Sequence, residues 1–546
     1  MKHIRKAIIL IFLIACIPGA MLSAASYYIS NKGSDRNTGT DRNHPRLTFG
    51  KEQERSLIPG DSVLFMGGQK HQVNIILEGI SKLLTSRRIV FSSYGEGVAT
   101  IDAGDSTGFF FYNMAGITLR HLIIVGSGSH TNKGSGIVFY ADDSLRHEGV
   151  TIVDIEVSGF GAHGILVSVN NERRGVFASL LMERVISHDN LLSGISTIGA
   201  FLMPGHYSLE NLTIRDCRAW NNFGNSSYTE NHSGNGIVCG SVRNGLIERC
   251  VAYENGKDNG CVYAGPVGIW CWASTNFTIQ YCESHHNHTG TLKDGGGFDL
   301  DGGVTNSTLQ YNYSHDNDGS GFLICQFAGA MEFENVTVRY NISENDGRKN
   351  ETAGILFWAA ASAGGIRNAY VYNNTIWLSP SKSNMACGIL LDSGEMQNIL
   401  ISNNIICTTG KAPLVRVNTK ALSSVTFLGN CYWNSDRNFR VDWGTHSYTS
   451  LSDWQKDTRQ ETDSGGQPAG LNLDPQLEGA GKGVTFNNPA LLHTLSGYRL
   501  MPGSQALKKG LNLAREWGID IGERDFFGNR LPQNIPCSMG AFQATK

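Results

Sequence analysis

The sequence is poor in charged residues and in long apolar runs, and each shortage excludes a class of protein. Charged residues make up 17% of the 546 residues and the formal net charge is −3, so no basic stripe predicts binding to nucleic acid. Beyond the N-terminal segment no apolar run is long enough to span a bilayer, and we expect no membrane span. The 65 glycines and 13 prolines point away from long helices.

Residues 1–25 have the pattern of a signal peptide. Lys2, Arg5 and Lys6 give a positive start, an apolar stretch follows over 7–15, and small residues at 23–25 suit a cleavage site. We therefore expect a secreted or periplasmic protein. The residues that end at Cys16 resemble a lipoprotein box, so a lipid anchor on Cys16 is the alternative.

Cysteines and asparagines recur at a spacing of about 30 residues, which is the strongest pattern in the chain. Cysteines at the repeat spacing occupy one column of a stack, and we expect buried thiols there more than disulfides. The recurring asparagines close short segments of alternating residues: Asn190, Asn222, Asn255, Asn287, Asn317 and Asn345. Asparagine suits such turns because it tolerates left-handed backbone and can ladder its amide to the next coil.

A glycine followed by an apolar residue is the second repeating feature. It occurs as Gly136, Gly164, Gly194, Gly236, Gly268, Gly297, Gly321, Gly354 and Gly388. Two short strands per ~30 residues cannot bury both faces alone, but stacked coils bury them and pair each N–H with a carbonyl of the next coil. A leucine-rich repeat would show leucines at fixed offsets, and a propeller blade would need ~40–45 residues. We therefore predict an all-β solenoid, a β-helix.

This pattern resembles the right-handed β-helix superfamily that includes pectate lyases and polygalacturonases. The resemblance covers about 115–435, and segments at 27–40, 59–63, 498–504, 525–529 and 539–542 resemble the ends of its secreted members. It implies an N-terminal cap and first coils over 26–110 and a right-handed parallel β-helix over 111–435. Residues 436–546 would form a C-terminal capping region. The resemblance specifies a scaffold, and a fold is not a function.

Strand parity sorts the side chains of the glycine-anchored strands into two faces. The residue after each glycine is apolar and should face inward. Asp299 and Asp301 then face outward together, with Trp270 and Trp272 one coil before them and Trp358 two coils after. Their Cα atoms should lie ~6.6 Å apart at ~3.3 Å per residue, which suits the acid pair of a glycoside hydrolase.

The chemistry of this patch suggests roles for its members. Like charges so close should raise one pKa, which leaves a protonated acid beside a carboxylate. We predict that Asp299 and Asp301 are catalytic. We predict that the exposed rings of Trp270, Trp272 and Trp358 hold a sugar, because exposed apolar clusters mark binding sites. The alternative is that the acids are solvated or bind structural calcium.

Neighbouring turns hold further candidates. Lys293, or His286 together with Asp316, could serve as a catalytic base. His315 could contact substrate, although it shares a column with other planar side chains that we expect to stack. No His or Cys pair shows a familiar zinc spacing.

Three functions fit these residues. The first is a secreted glycoside hydrolase that uses the acid pair and needs no cofactor. The second is a calcium-dependent polysaccharide lyase, in which Asp294 and Asp318 join the acid pair around Ca²⁺ and Lys293 removes the proton. The third is a non-catalytic glycan-binding surface protein.

The outward residues distinguish these functions in part. The strands from Gly236 to Gly354 carry no outward Lys or Arg, which favours hydrolysis of a neutral or weakly acidic glycan over elimination from a polyanion. The Gly-His-Gly and Arg-Ile-Lys sequences of polygalacturonases are absent, so the catalytic residues of that family cannot be transferred. We expect a polysaccharide or oligosaccharide partner and a monomer.

Overall fold

The computed structural model describes residues 23–79, 87–360, 364–392, 394–418, 422–531 and 537–544. The predicted signal peptide, with Cys16, lies outside the described residues except for its last three positions. Within these ranges, no helix has the length and the apolar character needed to cross a membrane.

The chain winds into a right-handed parallel β-helix, the all-β fold that the repeats predict. Sheet 1, the 14-stranded sheet, takes one strand from each successive coil and ends with an antiparallel strand. Its strands are Ile75–Glu78, Phe109–Tyr112, Ile137–Ala141, His163–Val169, Ser193–Ile198, Asn235–Gly240, Val267–Trp272, Gly296–Asp301, Phe322–Gln326, Ala353–Ala359, Cys387–Asp392, Val415–Val417, Val441–Trp443 and His446–Tyr448.

Sheet 2, the 25-stranded sheet, forms the rest of the wall. Its early strands are Ser26–Ile29, Ser62–Met66, Lys70–Gln72, Ile89–Tyr94, Ala99–Gly104, Ile117–Gly126, Arg146–Ser158 and Val176–His188. Later coils each give it a first strand: Leu209–Arg215, Val242–Glu248, Thr275–Gln280, Thr305–Gln310, Phe333–Arg339, Ile366–Tyr372, Met396–Ser402 and Val425–Leu428. They also give it a second strand: Arg218–Trp220, Val251–Tyr253, Glu283–His285, Tyr313–His315, Ile342–Glu344, Thr375–Leu378, Ile405–Thr408, Cys431–Asn434 and Leu471–Asn472.

Six short helices lie outside the repeating strands in the described part of the chain. The α-helices are Lys51–Ser56, Leu451–Thr458 and Leu513–Trp517, and the 3₁₀ helices are Leu422–Ser424, Pro489–Thr494 and Ser496–Tyr498. Phe49 and Leu57 flank the first helix and are buried in the main core. The first helix therefore covers apolar surface at the N-terminal end, as a cap must.

The inward face of sheet 1 is apolar, as strand parity predicts. The inward side chains of five consecutive coils are at most 1% exposed: Ile237, Cys239, Ile269, Cys271, Phe298, Leu300, Phe322, Ile324, Ile355 and Phe357. They belong to one continuous core that runs along the solenoid. Burial of each large member stabilises the coil by roughly 1.5–3 kcal/mol.

The recurring asparagines form a buried ladder between coils. Each Nδ2 donates to the Oδ1 of the next member at 2.9–3.0 Å, from Asn190 through Asn222, Asn255 and Asn287 to Asn317. The ladder then continues to Asp346 at 2.8 Å, so the prediction of Asn345 as the next member is wrong by one residue. Asn345 instead takes the left-handed turn position, with φ 57°.

The glycines that recur in sheet 1 strands are required because there is no room for a side chain at these positions. A Cβ on Gly268 would overlap the Ser284 side chain, and one on Gly297 would overlap the Ser314 side chain. These serines stand on sheet 2 within the same coil, so the two sheets approach too closely for a side chain at the glycine position.

The eleven cysteines of the described part of the chain are free thiols, and ten of them are buried. Cys239 and Cys271 pair in register on neighbouring strands of sheet 1. The repeat spacing therefore reflects a column of small buried side chains, as we expected.

The predicted capping region, 436–546, has two structural parts. The helix Leu451–Thr458 places Trp454 against Phe427 and Trp443, with ring centroids 5.5 Å away, at the end of the core. The chain then returns along sheet 2, where Asn487 Oδ1 lies 2.9 Å from His285 Nε2 and the Tyr372 hydroxyl donates to the Asp520 carbonyl at 2.6 Å. Only the first part is an end cap, because the second part covers the flank.

Candidate active site

A cavity of about 640 Å³ opens on the outer face of sheet 1. Its floor includes Asp299 and Asp301, which belong to the strand Gly296–Asp301. Asp299 stands in register with Trp270, and Asp301 with Trp272, in the preceding coil. Parity therefore places both acids outward beside the indoles, as the sequence predicts.

The two acids have unequal surroundings. Asp299 is 2% exposed, and its Oδ1 has no hydrogen-bond partner. Burial, followed by the charges of Asp301 and Asp294, raises the pKa of Asp299 well above its ordinary value. Asp301 is half-buried and its Oδ1 accepts a hydrogen bond from the Gly302 N–H at 2.7 Å. Burial raises the pKa of Asp301 to about 6, so the surroundings favour the protonated form of Asp299 more strongly than that of Asp301.

Lys293 supplies a positive charge to the same cavity. Its Nζ lies 4.6 Å from the centre of the Trp358 ring and 3.9 Å from Asp294 Oδ1. Burial alone would lower the pKa of Lys293, but Asp294 and the other nearby acids outweigh it, and the pKa is raised. Lys293 stays protonated, so the prediction that it acts as a base does not fit its surroundings.

The tryptophans line the cavity with different degrees of exposure. Trp270 is only 4% exposed, which corrects the expectation of an exposed ring. Its Nε1 donates to Asn235 Oδ1 at 3.1 Å, and His232 packs against its ring edge-on at 5.1 Å. Trp270 therefore forms part of the wall.

Trp272 and Trp358 are half-buried and offer ring surface to the cavity. Gly240 precedes Trp272 in its column, and a Cβ there would overlap the indole. The Phe201 ring packs on Trp272 with centroids 5.4 Å apart. These rings provide apolar faces in the cavity on either side of the acid pair.

The rim of the cavity is apolar and exposed. Tyr263 is 82% exposed and Leu292 is 78% exposed, and both line the opening. Val262, next to Tyr263, is also exposed. Large apolar side chains clustered on a surface mark an interaction site.

The structure does not bring His286 and His315 to the cavity. His315 belongs to a second strand of sheet 2, where it stacks on His285 with ring centroids 4.8 Å apart. His286 follows His285 directly and contacts it through the two Nδ1 atoms, 2.9 Å apart. Because sheet 2 faces another side of the solenoid, the roles of His286 as a base and His315 as a substrate contact find no support in this cavity and stay predictions.

The predicted calcium ligands do not converge. Asp294 lines the cavity and its Oδ2 accepts from the Gly265 N–H at 2.8 Å. Asp318 pairs with Lys349 and with His288, and it does not line the cavity. In the described ranges, these acids form no group of three whose ligand atoms lie within 4.8 Å of one another, and the calcium site of the lyase hypothesis stays a prediction.

Several further residues line the cavity: seven of them lie on loops outside the repeat, and Asp392 and Arg416 lie on later strands of sheet 1. They include Phe201, His232, Tyr263, Phe327, Asn350, Glu351, Asp392, Arg416 and Asn418. Two signals could have found some of them. His232 lies three residues before the strand that carries Asn235, and parity applied to the later coils would have placed Asp392 and Arg416 outward.

Comparisons with known proteins find the same fold. The family model described as a right handed beta helix region matches residues 225–376. No curated protein matches the chain in sequence. Among solved structures, a GH136 lacto-N-biosidase from Eubacterium ramulus is 19% identical, with 68% of each chain covered and a TM-score of 0.51.

Two further solved structures align with lower TM-scores. A mannuronan C-5 epimerase module from Azotobacter vinelandii is 15% identical, covers 72% of this chain and 91% of its own, and has a TM-score of 0.45. The pectate lyase Pel9A is 14% identical, covers 96% and 97%, and has a TM-score of 0.42. These structural neighbours are carbohydrate-active enzymes. The family model and the coils together show that the chain has the right-handed parallel β-helix fold.

Proposed function

We propose that this protein is a secreted glycoside hydrolase that cleaves a glycan in the sheet 1 cavity. The observation that supports it best is the pair of outward acids, Asp299 and Asp301, whose surroundings separate their protonation states. The protonated acid would donate to the leaving oxygen, and the ionised one would act as base or nucleophile. Secretion rests on the sequence of residues 1–25.

The charges of the cavity favour a neutral glycan as the substrate. Five acids line it, namely Asp294, Asp299, Asp301, Glu351 and Asp392, against the two cations Lys293 and Arg416. A polyanionic uronate chain would meet net repulsion there even with Asp299 protonated. The raised pKa of Lys293 also argues against elimination, which needs a neutral base.

The apolar rings account for binding of the substrate. Trp272, Trp358 and the rim residue Tyr263 offer flat faces within one cavity, and a pyranose presents C–H groups to such faces. A volume of about 640 Å³ is of the size used for small-molecule binding. We therefore expect oligosaccharides or chain ends to bind better than monosaccharides.

The test is a panel of plant and host glycans, incubated with the purified protein with and without a chelator. We expect new reducing ends, no absorbance from unsaturated uronates, and no effect of the chelator. Asp299→Asn and Asp301→Asn should each lower kcat by about 100-fold or more. Asp105→Asn, an exposed acid outside the cavity, is the matched control and should keep full activity.

Other outcomes decide against the proposal. Chelator-sensitive absorbance at the unsaturated-uronate band would mean elimination. Binding without cleavage across the panel would support the glycan-binding alternative. Full activity in both variants would remove Asp299 and Asp301 from the mechanism.

A further inference from the structure

A buried cluster on sheet 2 has the donor atoms of a metal site. Glu283, His285 and His315 each offer a ligand atom, and these atoms lie within 4.8 Å of one another. All three side chains are buried. The cluster lies outside the sheet 1 cavity, so it does not belong to the proposed active site.

One carboxylate oxygen of Glu283 lacks a hydrogen-bond partner in this cluster. Glu283 is 0% exposed; its Oε1 accepts from the Phe486 N–H at 2.8 Å, while its Oε2 has no hydrogen-bond partner. Leaving a buried carboxylate oxygen without a partner is costly, and such an oxygen calls for an explanation such as an ion.

His315 is oriented as metal-binding histidines are. Its Nδ1 faces Asp316 Oδ2 at 3.2 Å, and its Nε2 lies 3.4 Å from Glu283 Oε1. Two ligands bound to zinc at about 2.0–2.1 Å in tetrahedral geometry lie about 3.3 Å apart. A carboxylate behind the second ring nitrogen is the usual outer contact of a metal-bound imidazole.

We propose that Glu283, His285 and His315 bind a structural zinc ion that fastens the returning C-terminal segment to the solenoid. Two imidazoles and one carboxylate suit zinc better than calcium or magnesium. Asn487 Oδ1, 2.9 Å from His285 Nε2, or a water completes four-coordinate geometry. Phe486 and Asn487 belong to the returning segment, so the ion joins parts of the chain that are about 200 residues apart.

The experiment measures zinc in the full-length protein by elemental analysis, before and after dialysis against a chelator. We expect one zinc ion per chain, a fall in Tm of several degrees on chelation, and recovery on adding zinc. Chelation should also speed proteolysis between residues 475 and 500. None of these readouts needs a substrate, so they are independent of the proposed hydrolase activity.

Variants locate the ion. Glu283→Gln keeps an acceptor for the Phe486 N–H. The single variants Glu283→Gln and His285→Gln should each reduce the zinc content to background, while circular dichroism confirms that each variant is folded. His188→Gln, in the same stacked column but outside the cluster, is the matched control and should bind zinc like the wild type. If the variants do not fold, the proposal is tested by titrating zinc into the chelated wild type, which should bind one zinc ion per chain.

Absence of zinc binding by the folded wild type would overturn the proposal, as would unchanged binding in both folded variants.

Discussion

Asp299 and Asp301 are two residues apart on one strand, yet they differ in their exposure to solvent and in their hydrogen-bond donors. Asp299 is almost fully buried with one oxygen unpaired, whereas Asp301 is half-buried and bonded to the Gly302 N–H. Lys293 lowers the pKa of both. Burial is therefore the main influence on both pKa values; nearby charges come next for Asp299, and hydrogen bonds from Cys325 and Gly302 come next for Asp301.

Replacing Lys293 by Met should shift the acidic limb of the pH profile of kcat/KM upward, by up to about one pH unit. The reason is that loss of a cation raises the pKa of Asp301 from about 6, so ionised Asp301 appears only at higher pH. Lys257→Met, which removes a cation from the Phe223 ring outside the cavity, is the control. An acidic limb that stays in place would show that Lys293 does not tune the pair.

At the scale of single elements, the buried asparagine ladder joins consecutive coils. Asn255 accepts from Asn222 at 2.9 Å and donates to Asn287 at 2.9 Å. Each asparagine accepts hydrogen bonds from buried polar groups at a turn, where the strands of the sheets supply no partner. One asparagine per coil makes these bonds. Another ladder of asparagines, which includes Asn244 and Asn276, lies at exposed left-handed positions within strands of sheet 2.

Replacing Asn255 by Ala should lower the free energy of unfolding by about 2–4 kcal/mol, because it leaves buried groups of two neighbours without partners. Urea unfolding measures this change. Asn276→Gly in the exposed ladder is the control and should change stability by less than about 0.5 kcal/mol, because glycine tolerates the φ of 52° at this position. Equal effects of the two substitutions would mean that burial does not decide how much each asparagine contributes to the free energy of unfolding.

The buried ladder ends on a carboxyl group, and this makes the coil sensitive to pH. Burial raises the pKa of Asp346 to about 7, above the value of about 3.9 for an unfolded aspartate. The folded state therefore keeps a proton that the unfolded chain releases, and stability falls as pH rises from about 4 to 7.

Asp346→Asn should remove this pH dependence and raise the free energy of unfolding at pH 8 by up to about 4 kcal/mol. An amide fits because Ser343 Oγ lies 2.6 Å from Asp346 Oδ2, as Ser284 Oγ lies 3.0 Å from Asn287 Nδ2 in an earlier coil. Urea unfolding at several pH values measures the effect, which should shrink toward pH 4. A variant that is less stable at pH 8 would contradict this account.

At the scale of the whole molecule, the solenoid is stable only if its ends are covered. Trp454 is 0% exposed and closes the C-terminal end against Phe427, Tyr432 and Trp443. Trp454→Ala should lower the free energy of unfolding by about 3–5 kcal/mol. Hydrogen exchange should rise first in the last coils, because each coil contacts only its neighbours.

Trp517→Ala is the control for the cap, since Trp517 is 42% exposed. It should leave both the unfolding midpoint and the exchange pattern close to those of the wild type. Uniform exchange along the solenoid in Trp454→Ala would contradict local opening from the end.

The repeats predicted the fold and the face that carries Asp299 and Asp301, because strand parity follows from local alternation. They did not predict that Trp270 is buried, since the residues that cover it, including His232, come from loops with no period. The repeats also suggested that His315 lies near the site, whereas it belongs to sheet 2. Sequence spacing does not show which side of the coil a strand forms. The return of 475–531 and 537–544 along sheet 2 has no repeat signal either.

The most direct test of the central claim compares two substrates of the sugar that the glycan panel identifies. One is the natural glycan, and the other is an aryl glycoside whose leaving group needs no protonation. Asp299→Asn should lose most activity on the glycan yet keep it on the aryl glycoside, while Asp301→Asn should lose both. Equal loss on both substrates in Asp299→Asn, or full activity of Asp301→Asn on either, would contradict the assignment of acid and base.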